Sequence, residues 1–392
     1  MEFNYFMPTR VLFGPGTLKE LAKQELPGEK ALIVISSGNS IKKYGYLKRL
    51  QTILENRNIS FVVYDKILPN PVLSHVMEGA AIARTERCDF VIGLGGGSSI
   101  DSAKSIALMA KNQGNYWDYV NGGSGKGLPV ENGALPIVAI TTTAGTGTEV
   151  DPYTVILKED TFEKIGFGCA CTFPTLSVVD PELMLSVPTL LTAYQGFDAL
   201  FHATEGYISK AANPISDIYA LKSIELIAHN LTLCLKDGKN IKARTQVALA
   251  STFSGFVEAT SRCTSEHSME HALSANHPTL PHGAGLIMLS ASYYTFFATK
   301  VPEKFMAMAK AMGVDLEALA PEERPMSFVT ALLQLQKDCG VDQLKMSNYD
   351  IHKEDIKMLA ENARHTMGKL FEVDPYTLSL EETISIMVKA YR

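Results

Sequence analysis

The first half of the chain is written in short, uninterrupted apolar runs. Residues 30–35 read as a strand buried on both faces, and 59–64, 90–94 and 135–140 as further strands. Helix-patterned stretches lie between them, at 46–55, 73–86 and up to about 111. Strand and helix alternating at this spacing predict a parallel, doubly wound sheet, with residues 10–13 as an edge-strand candidate. After Val179-Asp180-Pro181 the grammar changes. From Thr189 onward long helical runs take over, among them 216–233, 241–258, 304–312, 326–337 and 381–391. A chain of 392 residues is long for one core. The expectation is an α/β domain over residues 1–185 and an all-helical domain over 186–392.

Composition narrows the function classes. With 46% hydrophobic and 20% charged residues the chain is an ordinary globular one. The net charge is −6 and no Lys/Arg-rich block stands out, which argues against a nucleic-acid partner. No apolar run approaches the ~20 residues of a membrane span, and the first ten residues lack the layout of a signal peptide. The six cysteines contain no CxxC pair and read as mostly buried free thiols in a reducing compartment. A cytoplasmic location is expected.

The strand at 90–94 runs into Gly95-Gly96-Gly97-Ser98-Ser99-Ile-Asp101 and then a helix. Such a junction can seat an anion, because glycine lets a phosphate approach the backbone and the helix dipole favours negative charge. A tight turn with close helix packing explains the same glycines equally well. A second small-residue loop, Thr141-Thr142-Thr143-Ala-Gly-Thr-Gly-Thr-Glu149, follows the strand at 135–140.

Six of the nine histidines fall between residues 198 and 282. Asp198 and His202 are four apart, as are His267 and His271, so on helices each pair shares one face. His282 lies in Pro-His-Gly, read as a turn that aims the ring inward. Imidazoles with one carboxylate suit Zn(II) or Fe(II) and suit Mg(II) or Ca(II) poorly. The plainer reading of each pair is a solvated or core contact; His229 is read as an ordinary helix histidine and His277 as a loop histidine.

Taken in order, Gly95-Gly-Gly-Ser-Ser-Ile-Asp101-Ser-Ala-Lys104, Thr142 to Glu149, Val179-Asp-Pro-Glu-Leu183, Gly196-Phe-Asp198-Ala-Leu-Phe-His202-Ala-Thr-Glu205 and Leu280-Pro-His282-Gly283 resemble the iron-containing (group III) alcohol dehydrogenases. That family is related in fold to glycerol dehydrogenase and dehydroquinate synthase. The resemblance covers nearly the whole chain. It implies an N-terminal dinucleotide-binding domain, a helical metal-binding domain, and hydride transfer between an alcohol and its aldehyde or ketone with the metal as Lewis acid. By that resemblance Asp198, His202, His267 and His282 hold Fe(II) or Zn(II), and His271 is the catalytic histidine beside the nicotinamide. The cofactor contacts it implies are Asn70, Gly95, Gly96, Gly97, Ser98, Ser99, Asp101, Thr142, Thr143, Asp151, Tyr153, Val155 and Lys164. For Asp101 a first-turn helix acid is the competing role, and for Lys164 a surface lysine.

The coenzyme is argued from the turn after the strand at 30–35. An acid there bonds the adenosine ribose and repels a 2′-phosphate. This turn reads Ser36-Ser37-Gly38-Asn39-Ser40-Ile41-Lys42-Lys43, without an acid. Gly38, Asn39 and Ser40 leave space and donors, and Lys42 or Lys43 supplies charge. The turn is also similar to one in NADPH-dependent family members, so NADP(H) is favoured over NAD(H).

Two other classes compete. A dehydroquinate synthase-like lyase shares the fold, but a phosphorylated, carboxylated substrate demands several basic residues, and segment 258–285 offers only Arg262. A nucleotide-binding module without catalysis leaves the buried acid and histidines unexplained. An NAD-preferring polyol dehydrogenase is the alternative within the class. The expected partner is a small-molecule alcohol or aldehyde, in a homodimer or larger homo-oligomer.

Overall fold

The computed structural model describes residues 2–392, which form two compact units. Met7–Ser186 is the α/β unit; Val187–Arg392 together with residues 2–6 is the helical unit. The sequence reading put the N-terminal residues in the first domain. In the structure they lie with the helices, the Tyr5 hydroxyl 3.5 Å from that of Tyr219.

In the α/β unit, β1 (Arg10–Phe13), β2 (Lys30–Ser36), β3 (Ser60–Ile67), β4 (Phe90–Gly95), β5 (Ile137–Thr141) and β8 (Leu176–Val179) form one sheet. The order is β1-β8-β5-β4-β2-β3 and every pairing is parallel. The apolar runs explain it. Ala31 to Ile35 in β2 and all of β4 are buried, so neither strand has a face left for water. The helices are α1 (Ser40–Lys43), α2 (Tyr46–Glu55), α3 (Leu73–Thr85) and α4 (Gly97–Lys111). Leucines of α2 join Ile33, Ile35 and Ile92 in the core.

The sequence reading lacks a second, two-stranded sheet, in which β6 (Thr154–Lys158) pairs antiparallel with β7 (Glu163–Phe167). Both strands are five residues long, and Lys158, Glu163 and Lys164 crowd their turn end, which leaves only short apolar runs. The reading also ends its third strand at 64, whereas β3 continues to Ile67 and carries Asp65 beside the turn after β2.

The helical unit contains α5 (Thr189–Ile208), α6 (Pro214–Lys236), α7 (Ile241–Ser261), α8 (Ser265–Asn276), α9 (His282–Ala298), α10 (Pro302–Ala311), α11 (Ser327–Asp338), α12 (Ile356–Glu372) and α13 (Leu380–Ala390). Buried residues occupy nearly all of α5 and α8, not one stripe, so both are central helices. Among the described residues α6 is the one helix long and apolar enough, by length and mean hydropathy alone, to cross a membrane. It carries Asp217, Lys222 and Glu225 and packs on α5 and α7, as a core helix of a bundle does.

Candidate functional site

Asp198 and His202 lie one turn apart in the buried middle of α5. His267, Glu270 and His271 sit on α8, and all are buried. His282 is the first residue of α9, capped by Pro281, where the sequence reading placed a turn. The approach of α9 to α5 depends on the next residue. A Cβ on Gly283 meets the Tyr194 carbonyl oxygen at 2.2 Å, so any side chain there forces the two helices apart.

Three of the four expected ligands converge tightly. Ligand atoms of Asp198, His267 and His282 all lie within 4.8 Å of one another. Asp198 Oδ1 is 3.7 Å from His267 Nε2 and 3.5 Å from His282 Nε2. His202 enters beside them: its Nδ1 is 3.4 Å from Asp198 Oδ1 and its ring centroid 4.4 Å from that of His267. His202 also groups with Cys263 and His267, and its Nε2 lies 3.5 Å from Glu258 Oε2. Neither Cys263 nor Glu258 was expected at the site.

The outer nitrogens are spoken for. His267 Nδ1 hydrogen-bonds Glu205, and His282 Nδ1 hydrogen-bonds Glu270. His202 Nδ1 is 3.0 Å from the Asp198 carbonyl oxygen. A carboxylate on Nδ1 fixes the tautomer that carries the lone pair on Nε2, the arrangement by which proteins orient metal-binding histidines. Among the described residues, Asp198 Oδ1 and His267 Nε2 are buried without any hydrogen-bond partner. Burial alone raises the Asp198 carboxyl, but the charges of His202, His282 and His267 overcome this and hold it at about 2. Burial pushes the His202 imidazole down to about 4. The site therefore offers an ionised carboxylate and, at His202, a neutral imidazole; burial lowers the His267 imidazole but Cys263 and Glu205 raise it above its ordinary value, so a divalent transition metal binds there by displacing the Nε2 proton. The donor set fits such an ion.

His271 stands at the rim of this cluster, its ring centroid 5.4 Å from that of His282 and its Nδ1 2.8 Å from Met367 Sδ. At Met367 the α12 backbone leaves helical geometry (φ −127°, ψ 39°). His277 caps the end of α8 and is not in the cluster; burial lowers its imidazole. His229 is exposed, with Nδ1 on the Glu225 carbonyl, as expected of an ordinary helix histidine.

In the α/β unit the two small-residue loops meet. A Cβ on Gly97 falls 2.6 Å from Thr146 Cγ2, and one on Gly96 falls 3.0 Å from Thr143 Cγ2. Close packing thus accounts for these glycines, and the same smallness opens the backbone at the start of α4. Ser98 and Ser99 lie in the first turn of α4, but Asp101 lies beyond it, so it is not a first-turn acid. Its carboxylate accepts from the Thr148 hydroxyl at 2.6 Å and the Val155 amide at 2.9 Å. Lys104, wholly buried, donates to Thr148 Oγ1 at 2.7 Å, Asp151 Oδ1 at 3.1 Å and the Tyr153 carbonyl at 2.7 Å. An ammonium has three donors, so Lys104 is saturated. Burial pushes the Asp151 carboxyl up to about 7 against the pull of Lys104. Lys164, on β7, is buried and not a surface lysine. Thr142 is buried in the loop after β5, its amide on the Gly95 carbonyl. Asn70 lies in the loop after β3.

The turn after β2 holds a surprise. Gly38 and Asn39 lead into α1, which contains Ser40, Lys42 and Lys43. Asp65 pairs with Lys42 Nζ at 2.5 Å, and Lys43 Nζ lies 5.6 Å from the Tyr44 ring centroid. An acid is therefore present at the turn, supplied by β3.

Sequence reasoning missed Glu205, Glu270 and Lys104 as working parts. A signal existed for each: an acid three residues after His202 and after His267, and a lysine three residues after Asp101 in a helix otherwise small and apolar.

Residues 8–181 match the family described as iron-containing alcohol dehydrogenase. Residues 192–391 match the C-terminal part of the Fe-containing alcohol dehydrogenase family. Alcohol dehydrogenase 4 of Saccharomyces cerevisiae is 33% identical over 392 residues, covering 99% of this chain and 98% of its own. The NAD-dependent methanol dehydrogenase of Bacillus methanolicus is 31% identical over 362 residues, covering 92% and 93%. The solved structure of an archaeal halo-thermophilic Red Sea brine pool alcohol dehydrogenase superposes with a TM-score of 0.93 at 33% identity, covering 100% of this chain and 99% of that one.

Proposed function

Because this chain belongs to the iron-containing alcohol dehydrogenase family, we propose that it interconverts a small alcohol and its aldehyde or ketone with Asp198, His202, His267 and His282 as the metal ligands. The family makes the chain an oxidoreductase and implies a divalent metal and a nicotinamide cofactor. The observation that carries the ligand assignment is the pair of buried, unpartnered atoms, Asp198 Oδ1 and His267 Nε2, which a cation satisfies. Fe(II) and Zn(II) both accept this donor set.

When bound, the metal supplies Lewis-acid polarisation of the substrate oxygen, and the nicotinamide accepts or delivers the hydride. The chain's own residues do the rest. Glu205 and Glu270 hold the imidazoles of His267 and His282 with Nε2 toward Asp198. Asp198 stays ionised and keeps the site anionic. His271, at the rim, passes the alcohol proton outward. The Lys104 knot fixes Asp101, Asp151, Tyr153 and Val155 into one rigid support for the dinucleotide loops at 95–99 and 142–143.

For the coenzyme, the open turn at Gly38, Asn39 and Ser40 with Lys43 supports NADP(H), the preference read from the sequence. The Asp65–Lys42 pair supports NAD(H). An acid at this strand end repels a 2′-phosphate and Lys42 is engaged. The Bacillus methanolicus relative is named for NAD. We take NAD(H) as the stronger reading. Asp65→Ser frees Lys42 and raises kcat/KM with NADPH relative to NADH about tenfold, a difference of ~1.4 kcal/mol. An unchanged ratio returns the choice to the Gly38–Ser40 turn. A cytoplasmic homo-oligomer completes the proposal.

The test is purification without chelator and with air excluded, metal analysis, and NADH and NADPH oxidation with a panel of short aldehydes, with and without added Fe(II) or Zn(II). About one bound divalent metal per chain and metal-dependent turnover are expected. Turnover that survives complete metal removal overturns the assignment.

A further inference from the structure

Cys169 and Cys171 flank Ala170 in the short turn between β7 and β8. Their Sγ atoms lie 2.7 Å apart. Both side chains are half-buried, and Ala170 between them is exposed. Thr172 holds the turn in place: its Oγ1 accepts the Cys169 amide at 3.0 Å, lies 2.7 Å from the Pro152 carbonyl and 3.9 Å from the Cys169 sulfur, and its own amide donates to the Cys169 carbonyl at 3.0 Å. The other cysteines differ. Burial pushes the thiols of Cys88, Cys234, Cys263 and Cys339 up, which leaves them inert. At the pair the two sulfurs share a hydrogen bond in which either thiol can be the donor, and this contact, with Thr172 beside Cys169, lowers the Cys169 thiol and raises that of Cys171. One sulfur is thus the nucleophile and its neighbour holds the proton.

We propose that Cys169 and Cys171 form a reactive dithiol site that takes a low-molecular-weight disulfide as its oxidant, with Cys169 attacking and Cys171 resolving. In the first step the Cys169 thiolate attacks one sulfur of RSSR. A Cys169–SR bond forms, the S–S bond breaks, and RS⁻ leaves and takes up a proton. In the second the Cys171 thiol loses its proton to solvent and attacks Cys169 Sγ, expelling the second RS⁻. The pair is oxidised by two electrons to a disulfide and the small disulfide is reduced to two thiols. Neither cysteine belongs to the metal cluster or to the proposed coenzyme contacts, so the site stands apart from the dehydrogenase reading.

The probe is oxidised glutathione, added to the full-length protein and followed by peptide mass spectrometry. Wild type is expected to lose about 2 Da from the peptide spanning residues 169–171, while the other four cysteines remain alkylatable after unfolding. Cys171→Ser is expected to trap one glutathione on Cys169. Cys169→Ser should form its adduct at least about tenfold more slowly. Recovery of the intact dithiol from wild type in excess oxidised glutathione overturns the proposal, and so does equal adduct formation in the two variants.

Discussion

The molecule contains two buried polar clusters that look alike in composition and differ in bookkeeping. In the α/β unit, Lys104 saturates its three donors on Thr148, Asp151 and Tyr153, and both Asp101 oxygens accept internal hydrogen bonds. In the helical unit, Asp198 Oδ1 and His267 Nε2 are just as buried and have no partner. A buried polar group without a partner costs ~1–3 kcal/mol, more if charged, so nature rarely keeps one that nothing satisfies. The closed cluster is scaffold. The open one is what we propose as the cation site. The difference lies in where the hydrogen bonds end, which residue types alone do not reveal.

Removing a member from each cluster should break the comparison in opposite ways. Asp198→Ala is expected to abolish metal binding and to lower kcat/KM by about 10³-fold. It should lower the melting temperature of the metal-free protein only modestly, because the carboxyl held at about 2 contributes stability that is present above its unfolded value of 3.8 and lost as pH falls through about 2. Metal analysis and scanning calorimetry on the same sample decide this. A variant that keeps the metal content of wild type shows that Asp198 is not a ligand. Lys104→Met is expected to do the reverse. It strands Asp151 in a buried site and costs about 3–5 kcal/mol of stability, measured by urea unfolding, with metal content unchanged.

The same distinction explains what the sequence disclosed. Strands such as β2 and β4 are legible because burial on both faces forces continuous apolar runs, and their order of appearance sets the parallel sheet. The hairpin of β6 and β7 is not, since Lys158, Glu163 and Lys164 shorten its apolar runs, and Lys158 and Glu163 are held by Ser124, remote in sequence. Asp198, His202, His267 and His271 are visible through spacing of four on a helix. Their supports, Glu205 and Glu270, follow His202 and His267 by three residues, but an acid in a helix reads as solvated until its distant imidazole is known. His282 was found as a residue and misjudged as a turn, because Pro-His-Gly is compatible with either a loop or the first turn of a helix. Asp65 escaped because β3 runs on past the last apolar residue of its motif.

Asp374 sharpens the rule, since an orphaned carboxylate oxygen is not by itself a ligand site. Its Oδ1 accepts from the Ser265 amide at 3.0 Å and the Tyr293 hydroxyl at 3.1 Å, while Oδ2 has no partner among the described residues. Here burial pushes the carboxyl up to about 7, so the proton, not a metal, relieves the orphan. An acid with a raised folded pKa contributes stability that is complete below its unfolded value of 3.8 and is lost as pH rises through about 7. At ~1.36 kcal/mol per unit the full effect is up to about 4 kcal/mol. Asp374→Asn keeps the Oδ1 acceptor and removes the titration. Urea midpoints from about pH 4 to 8 should fall less steeply for the variant than for wild type. Parallel curves would mean that Asp374 is ionised throughout.

The finest division runs within the metal cluster, between its two supporting carboxylates. Glu205 accepts from His267 Nδ1 and also from the Thr264 amide at 2.8 Å and hydroxyl at 2.9 Å, so it holds an imidazole and the start of α8 together. Glu270 holds His282 Nδ1. Replacing either by glutamine removes a charge that makes its imidazole a better donor, and second-layer changes of this kind weaken metal binding by about 10–100-fold. Only Glu205→Gln should also lower the melting temperature of the metal-free protein, because its amide nitrogen cannot accept from Thr264 and a backbone amide at a buried helix start loses part of its partner. Metal competition against a chelator, paired with metal-free melting curves, reads both quantities. Equal loss of stability in the two variants would show that Glu270, too, is part of the scaffold, and the line between scaffold and site would then pass inside the first ring of histidines and leave only Asp198 and the inward nitrogens on the side of the ligand.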